Sequence, residues 1–165
     1  IEVIRQVQEK IPAIHIVIMG VGFHSPNLEK VINLIKLYGL EENVTLLPWT
    51  EREDIFHIIN KASLYISTAR YEGLPYAVIE AMALKKSFVV TDADGNRDLI
   101  EDGENGYLVK DENSAAFATK IIALIQHNDK RVLFENKSIE KFNARFNIEN
   151  TIPLLEQIYL KEALN

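Results

Sequence analysis

The chain has 165 residues, 47% of them hydrophobic and 25% charged, which suits one ordinary globular domain rather than a low-complexity or disordered tract. Eighteen basic against 24 acidic residues leave a net charge of −6, which argues against the positive surface that a nucleic-acid binder or a polybasic membrane anchor needs. With no cysteine, disulfides, thiolate zinc sites and a cysteine nucleophile are excluded, and the usage fits a reducing cytoplasm.

Ile1, Ile4 and Val7 open the chain with helical spacing and without a methionine, so it reads as cut from a longer polypeptide. Residues 15–19 form a short apolar run that halts at Gly20, far below the ~20 residues of a membrane span. Residues 44–47, 64–67, 87–91 and 107–109 are similar. Continuous apolarity is what a strand covered by helices on both faces requires. Between these runs, Leu28, Val31, Ile32 and Ile35 make one helical stripe, opened by Ser25-Pro26 and closed by Gly39. Thr50 and Glu53 have capping-box spacing ahead of Ile55, Phe56 and Ile59. Strand and helix alternating in this way predict a doubly wound, Rossmann-like parallel α/β sheet. From Asn113 onward the pattern is a helical tail, with Phe117, Ile121, Leu124 and Ile125 on one face and Ile148, Ile152, Leu155 and Tyr159 on another. Those faces read as core or domain-docking surfaces. No domain boundary is predicted within residues 1–165.

Ligands of open parallel sheets sit beyond the carboxyl ends of the strands. Two such ends carry glycine. Gly20-Val21-Gly22 lets backbone approach a ligand, but Ser25 stands where a dinucleotide fingerprint has its third glycine, and a plain turn is an equal reading. The second end, S-T-A-R-Y-E-G-L-P-Y-A-V-I-E-A-M-A from Ser67 to Ala83, is more informative. Pro75 is a natural first helical residue, which places Gly73 and Leu74 where free amides collect and a phosphate fits. Glu72 stands before that helix and Glu80 within it. Carboxylates on either side of an amide cluster suit a sugar nucleotide, with hydroxyls at both ends of a diphosphate.

The frame E-G-L-P-x-x-x-x-E-A-M-A, with Glu72 and Glu80 separated by seven residues, resembles the signature of retaining glycosyltransferases of family 4, which have the GT-B fold. Residues 20–22 resemble that domain's glycine loop, and residues 43–49 the strand and turn near the nucleotide base. Residues 91–100 resemble its segment leading into a helix ahead of the last short strand, and residues 102–109 the turn and strand that follow. The resemblance implies the C-terminal, donor-binding half of a GT-B enzyme, truncated at its N-terminus. The first strand with its basic pair and the acceptor-binding domain would lie upstream. It implies that Glu80 accepts hydrogen bonds from the ribose hydroxyls and that Glu72, as the catalytic residue, holds a hydroxyl of the donor sugar. Amides of Gly73, Leu74 and Tyr76 would face the sugar and diphosphate, Val78 and Ile79 would line the nucleotide, and Gly20 and Gly22 would complete the donor-binding set.

The implied reaction moves a sugar, with retention, from a UDP- or GDP-sugar to a saccharide or lipid-linked acceptor, in surface polysaccharide synthesis. No cofactor and no metal is expected, because amides and dipoles can stabilise the leaving diphosphate. The setting implied is cytoplasmic, including the inner face of the membrane, with peripheral contact by the full enzyme. The alternative is a non-catalytic nucleotide-sugar binding module; in either case the fragment alone is expected to be inactive. Two departures from the pattern stand out. Lys85-Lys86-Ser87 replaces a Gly-x-Pro turn, with either lysine available to add positive charge, and Asp98 stands where glutamate is common.

More ordinary roles compete at several positions. Glu80 could pair with Lys85 or face solvent, and Glu72 could compensate the helix dipole. Arg70 reads as a surface ion pair and Tyr71 as a packed ring, with ligand contact the alternative for both, and Trp49 reads as filling the core edge, with stacking on a base the alternative. The four histidines (His15, His24, His57 and His127) show no metal spacing, and His24 alone lies near the glycine loop.

Overall fold

The structure, a computed structural model, describes residues 1–21, 25–111 and 113–163. In chain order the elements are α1 (Glu2–Gln8), β1 (Ile16–Met19), α2 (Leu28–Leu37), β2 (Val44–Leu47), α3 (Arg52–Lys61), β3 (Tyr65–Ser67), α4 (Tyr76–Ala83), β4 (Phe88–Thr91), α5 (Asp94–Leu99), β5 (Gly106–Val109), α6 (Ser114–Gln126), α7 (Asn128–Arg145) and α8 (Ile148–Ala163). They divide into two compact units, residues 1–61 with 112–127 and residues 62–111 with 128–165. All described strand pairs are parallel, as the alternation of apolar runs and helical stripes requires.

In the first unit β1 pairs with β2, Ile16 opposite Val44 and Met19 opposite Leu47. The apolar spacing at the chain start is used: Ile4 and Val7 of α1 are buried, and α1 packs on α6, whose Phe117, Ile121 and Leu124 are buried in turn. Ile4, Ile35, Leu40 and Val44 form one core cluster, each worth ~1.5–3 kcal/mol of burial. Asn43, also buried, donates its amide to the carbonyls of Pro12 and Ile14, closing the approach to β1. β1 itself is half-buried along its length.

Two expectations for this unit are corrected. Thr50 does not cap α3. The helix starts at Arg52, and the Thr50 hydroxyl is taken by the carbonyl of Pro48 at 2.9 Å in the preceding turn. Trp49, in that same turn, is 89% exposed rather than filling a core edge.

The second unit holds a three-stranded sheet in the order β3-β4-β5, with α4 and α5 as the crossovers. Central β4 is buried throughout, Phe88, Val89 and Val90 fully so, which accounts for its unbroken apolar run. Across the sheet, α4 packs on α7, and Phe134 of α7 meets Tyr107 edge-on at 5.3 Å between ring centres. The turn between α5 and β5 is held by buried Asn105. Its side chain donates to the Leu99 carbonyl and accepts from the Glu101 amide. On α8 the stripe of Ile148, Ile152, Leu155 and Tyr159 is 47 to 72% exposed, so within this unit it is an uncovered face rather than core. Among the described residues no helix is long and apolar enough to cross a membrane.

Candidate functional site

At the carboxyl end of β3 the chain leaves Ser67, crosses an exposed loop through Arg70, Tyr71, Glu72 and Gly73, and enters α4. Pro75 is the N-cap, with φ −74° and ψ 97°, and the first helical residue is Tyr76, one later than Pro75's fixed φ suggests. The carbonyl of Pro75 receives the amides of Val78 and Ile79 at 3.0 and 3.3 Å. Among the described residues the amides of Gly73, Leu74, Tyr76 and Ala77 donate to no backbone carbonyl. Those are the donors that a helix start leaves over. Gly73, Leu74 and Tyr76 are themselves exposed residues.

Both carboxylates belong to this neighbourhood. Glu72 and Glu80 are half-buried, one before the amide cluster and one in the following turns of α4. Tyr65 is the first residue of β3. Burial pushes its phenol above the ordinary value of 10.0, and the charges of Glu80 and then Glu72 push it further the same way. Its ring packs against Phe88 at 5.8 Å. Sequence reasoning missed Tyr65 because a tyrosine opening a strand carries no spacing signal of its own.

The loop is tied down at several points. Arg70 pairs with Asp111 at 2.9 Å, both side chains about half exposed, the surface ion pair that its sequence position suggests. The Thr91 hydroxyl donates to the Ser67 carbonyl at 3.3 Å, and the Gly95 amide to the Glu72 carbonyl at 3.0 Å. Tyr71 is 93% exposed, not a packed ring, because the loop turns it away from the sheet.

The remaining expected residues fall in different surroundings. Ile79 is half-buried, but the Val78 side chain is 1% exposed and lies with Ala81 and Met82 on the core face of α4, a packing position rather than a lining one. Gly20 belongs to the first unit. It adopts φ +78°, and the next amide, of Val21, returns to the Leu47 carbonyl at 3.0 Å. Gly22 and His24 lie outside the described residues. In the Lys85-Lys86 turn, Lys85 takes φ +57° and Lys86 folds inward. The Lys86 ammonium donates to the Ala62 carbonyl at 3.0 Å, and burial holds it below its ordinary value. It clamps the chain ahead of β3. Asp98 is exposed on α5. A second charged surface, lined by Glu101, Glu104, Lys137, Glu140 and Lys141, pairs its own charges at 2.7 Å (Lys141–Glu101) and 2.9 Å (Lys137–Glu140).

Comparison with known proteins gives the family and the fold. The sequence profile described as "Glycosyl transferases group 1" matches residues 1–141. The putative glycosyltransferase EpsD of Bacillus subtilis is 31% identical over 159 residues, 96% of this chain and 40% of that protein. The poly(ribitol-phosphate) alpha-N-acetylglucosaminyltransferase of Staphylococcus aureus is 31% identical over 153 residues, 92% of this chain and 30% of that protein. Among solved structures, a Staphylococcus aureus TarM variant crystallised with UDP matches with a TM-score of 0.84 at 30% identity, over 96% of this chain and 31% of that one. The chain therefore belongs to the group 1 glycosyltransferases, and its parallel sheets with a helical C-terminal part are those of the GT-B fold. It spans 30 to 40% of the length of these two curated relatives.

Proposed function

We propose that these 165 residues are the donor-binding part of a retaining, metal-independent glycosyltransferase, with the loop and helix from Glu72 to Glu80 as the donor site. The observation that carries the reading is the set of amides left without backbone partners at the mouth of α4, flanked by two carboxylates. A diphosphate supplies the acceptors those amides lack, and the helix dipole favours its charge. Glu80 grips the ribose hydroxyls, and Glu72 holds a hydroxyl of the sugar near the reacting carbon. Charge develops on the departing diphosphate as the glycosidic bond breaks. Fixed amides at Gly73, Leu74 and Tyr76 stabilise it there without reorganisation, which is where such a site gains rate. Ile79 borders the nucleotide.

The donor is a nucleoside-diphosphate sugar. The likeness to TarM, whose structure holds UDP, supports a uridine nucleotide over GDP. The acceptor is a saccharide or lipid-linked saccharide, bound by parts of the full-length protein outside this chain, and the work belongs to surface polysaccharide synthesis on the cytoplasmic side of the membrane. On this reading the 165 residues alone do not turn over donor.

Calorimetric titration of the full-length protein with UDP, GDP, UDP-glucose, UDP-N-acetylglucosamine and GDP-mannose tests the reading. Saturable binding of at least one nucleotide, weakened by Glu80→Ala, is expected; no binding of any of them contradicts it. Release of nucleotide from the bound donor separates an enzyme from a module that only holds the sugar nucleotide.

A further inference from the structure

The start of α5 approaches the Glu72-Gly73 backbone more closely than any side chain would allow. A β-carbon on Gly95 would stand 2.4 Å from the Gly73 carbonyl oxygen, 2.7 Å from the Glu72 carbonyl oxygen and 2.8 Å from the Gly73 carbonyl carbon. All three are backbone atoms, so no rotamer change relieves the clash; the loop itself must move. The Gly95 amide meanwhile donates to the Glu72 carbonyl at 3.0 Å. Gly95 is thus in contact with the loop from both its α-carbon and its nitrogen. Gly73 is different, since a β-carbon there would meet nothing within 4 Å.

The support behind Gly95 is firm. Asn96, fully buried, donates its side-chain amide to the Thr91 carbonyl at 2.8 Å, which fixes the turn between β4 and α5. The Asp92 amide bonds the Val109 carbonyl at 2.8 Å, which joins that turn to β5. A contact made from this turn therefore carries the rigidity of the sheet to the loop.

We propose that Gly95 is a positioning residue of the donor site: its amide and bare α-carbon fix the backbone of Glu72 and Gly73, and so set where the Glu72 carboxylate and the unbonded amides stand. The inference rests on the donor-site reading above. Gly95 itself touches no ligand. Glu80 sits on α4 and is not among the atoms that a β-carbon on Gly95 would meet first, so the contact is assigned to the Glu72-Gly73 end of the site.

The test is made on the full-length protein with UMP and UDP as probes, since the step from one to the other isolates the second phosphate. Gly95→Ala is expected to leave UMP affinity within about threefold and to cut the gain in affinity from UMP to UDP by about tenfold, the scale of charge-assisted hydrogen bonds. Gly106→Ala is the control. A β-carbon there would lie 2.7 Å from the Phe88 β-carbon and 2.9 Å from Ile100, so it strains the same unit away from the loop. It should lower the melting temperature and leave the UMP-to-UDP gain unchanged. Equal losses of that gain in both variants at matched folded fraction, or an unchanged gain in Gly95→Ala, overturn the proposal.

Should Gly95→Ala not fold, hydrogen exchange on the unaltered protein decides. Protection of the Gly95 amide without ligand, by about a hundredfold over the free-chain rate, supports a preformed brace; protection that arises only with UDP, or none, overturns it. If Glu72→Gln and Glu80→Ala leave UDP and UDP-sugar binding untouched, the donor-site reading falls and the brace with it. If they weaken binding and Gly95→Ala does not, the brace alone falls.

Discussion

After β1 the chain turns on Gly20 at φ +78°, and Val21 is recaptured at once by the Leu47 carbonyl; after β3 it passes Glu72 and Gly73, with a run of amides unbonded and a carbonyl held from α5. Both strand ends carry glycine and both stand where α/β sheets bind ligands. Among the described residues the second keeps donors in reserve, since the amides of Gly73, Leu74, Tyr76 and Ala77 donate to no backbone carbonyl. At the first end glycine supplies a backbone angle that other residues adopt at a cost, whereas Gly73 has no positive φ and open space around its α-carbon. The glycine that the second loop cannot do without is Gly95, on another element. A glycine at a strand end is thus weak evidence for a site until the fate of the neighbouring amides is known.

The sharpest way to break the contrast is at Glu72. Glu72→Gln in the full-length enzyme is expected to lower transfer by ~10²–10³, the scale of losing one transition-state partner, with nucleotide affinity much less changed. A rate within about twofold of the parent makes Glu72 a dipole-compensating residue. Next is Glu80→Ala, expected to weaken UDP binding by ~1–3 kcal/mol in calorimetry, the range for hydrogen bonds to a charged partner. Gly20→Ala sharpens the other side. It should cost ~1–2 kcal/mol in denaturant unfolding, through the left-handed backbone, and leave UDP affinity unchanged. A parallel loss of UDP affinity would instead join Gly20 to the donor site.

Two titrations follow. Tyr65 ionises above its ordinary value of 10.0 because burial, Glu80 and Glu72 all disfavour its phenolate. Its folded value lies above the unfolded one, so its contribution to stability is present below pH 10.0 and lost as pH rises toward the folded value. Ultraviolet titration of the parent and Tyr65→Phe should differ in a late phase; coincident curves would separate Tyr65 from the two carboxylates. The smallest effect is at Asp92. Its hydrogen bond from Arg97, at 2.6 Å, holds its carboxyl below the ordinary value of 3.8. That contribution is present above pH 3.8 and lost as pH falls through the folded value, so Asp92→Asn should differ from the parent at neutral pH and converge with it in acid.

Much of this was legible in the sequence. The five described strands lie within a residue of their apolar runs, because short continuous apolar stretches between helical stripes have few alternatives. The loop and helix carrying Glu72 and Glu80 followed from Pro75 and Gly73. What escaped notice depends on contacts distant in sequence. Nothing in D-A-D-G-N-R says that Gly95 abuts residue 73, and nothing around Lys86 says that it turns inward to Ala62. Trp49, Tyr71 and the α8 stripe were assigned by residue type, yet exposure depends on where the chain turns, and each is open to solvent. Thr50 had the right partner spacing for a cap, but α3 begins at Arg52, so Thr50 stands one residue too far out.

The most direct measurement is a crystal structure of the full-length protein with UDP bound. The diphosphate is expected within hydrogen-bond distance of the amides of Gly73, Leu74 and Tyr76, with both ribose hydroxyls on Glu80. A nucleotide lodged elsewhere, or a mouth of α4 filled by the protein's own side chains with ligand present, would contradict the account.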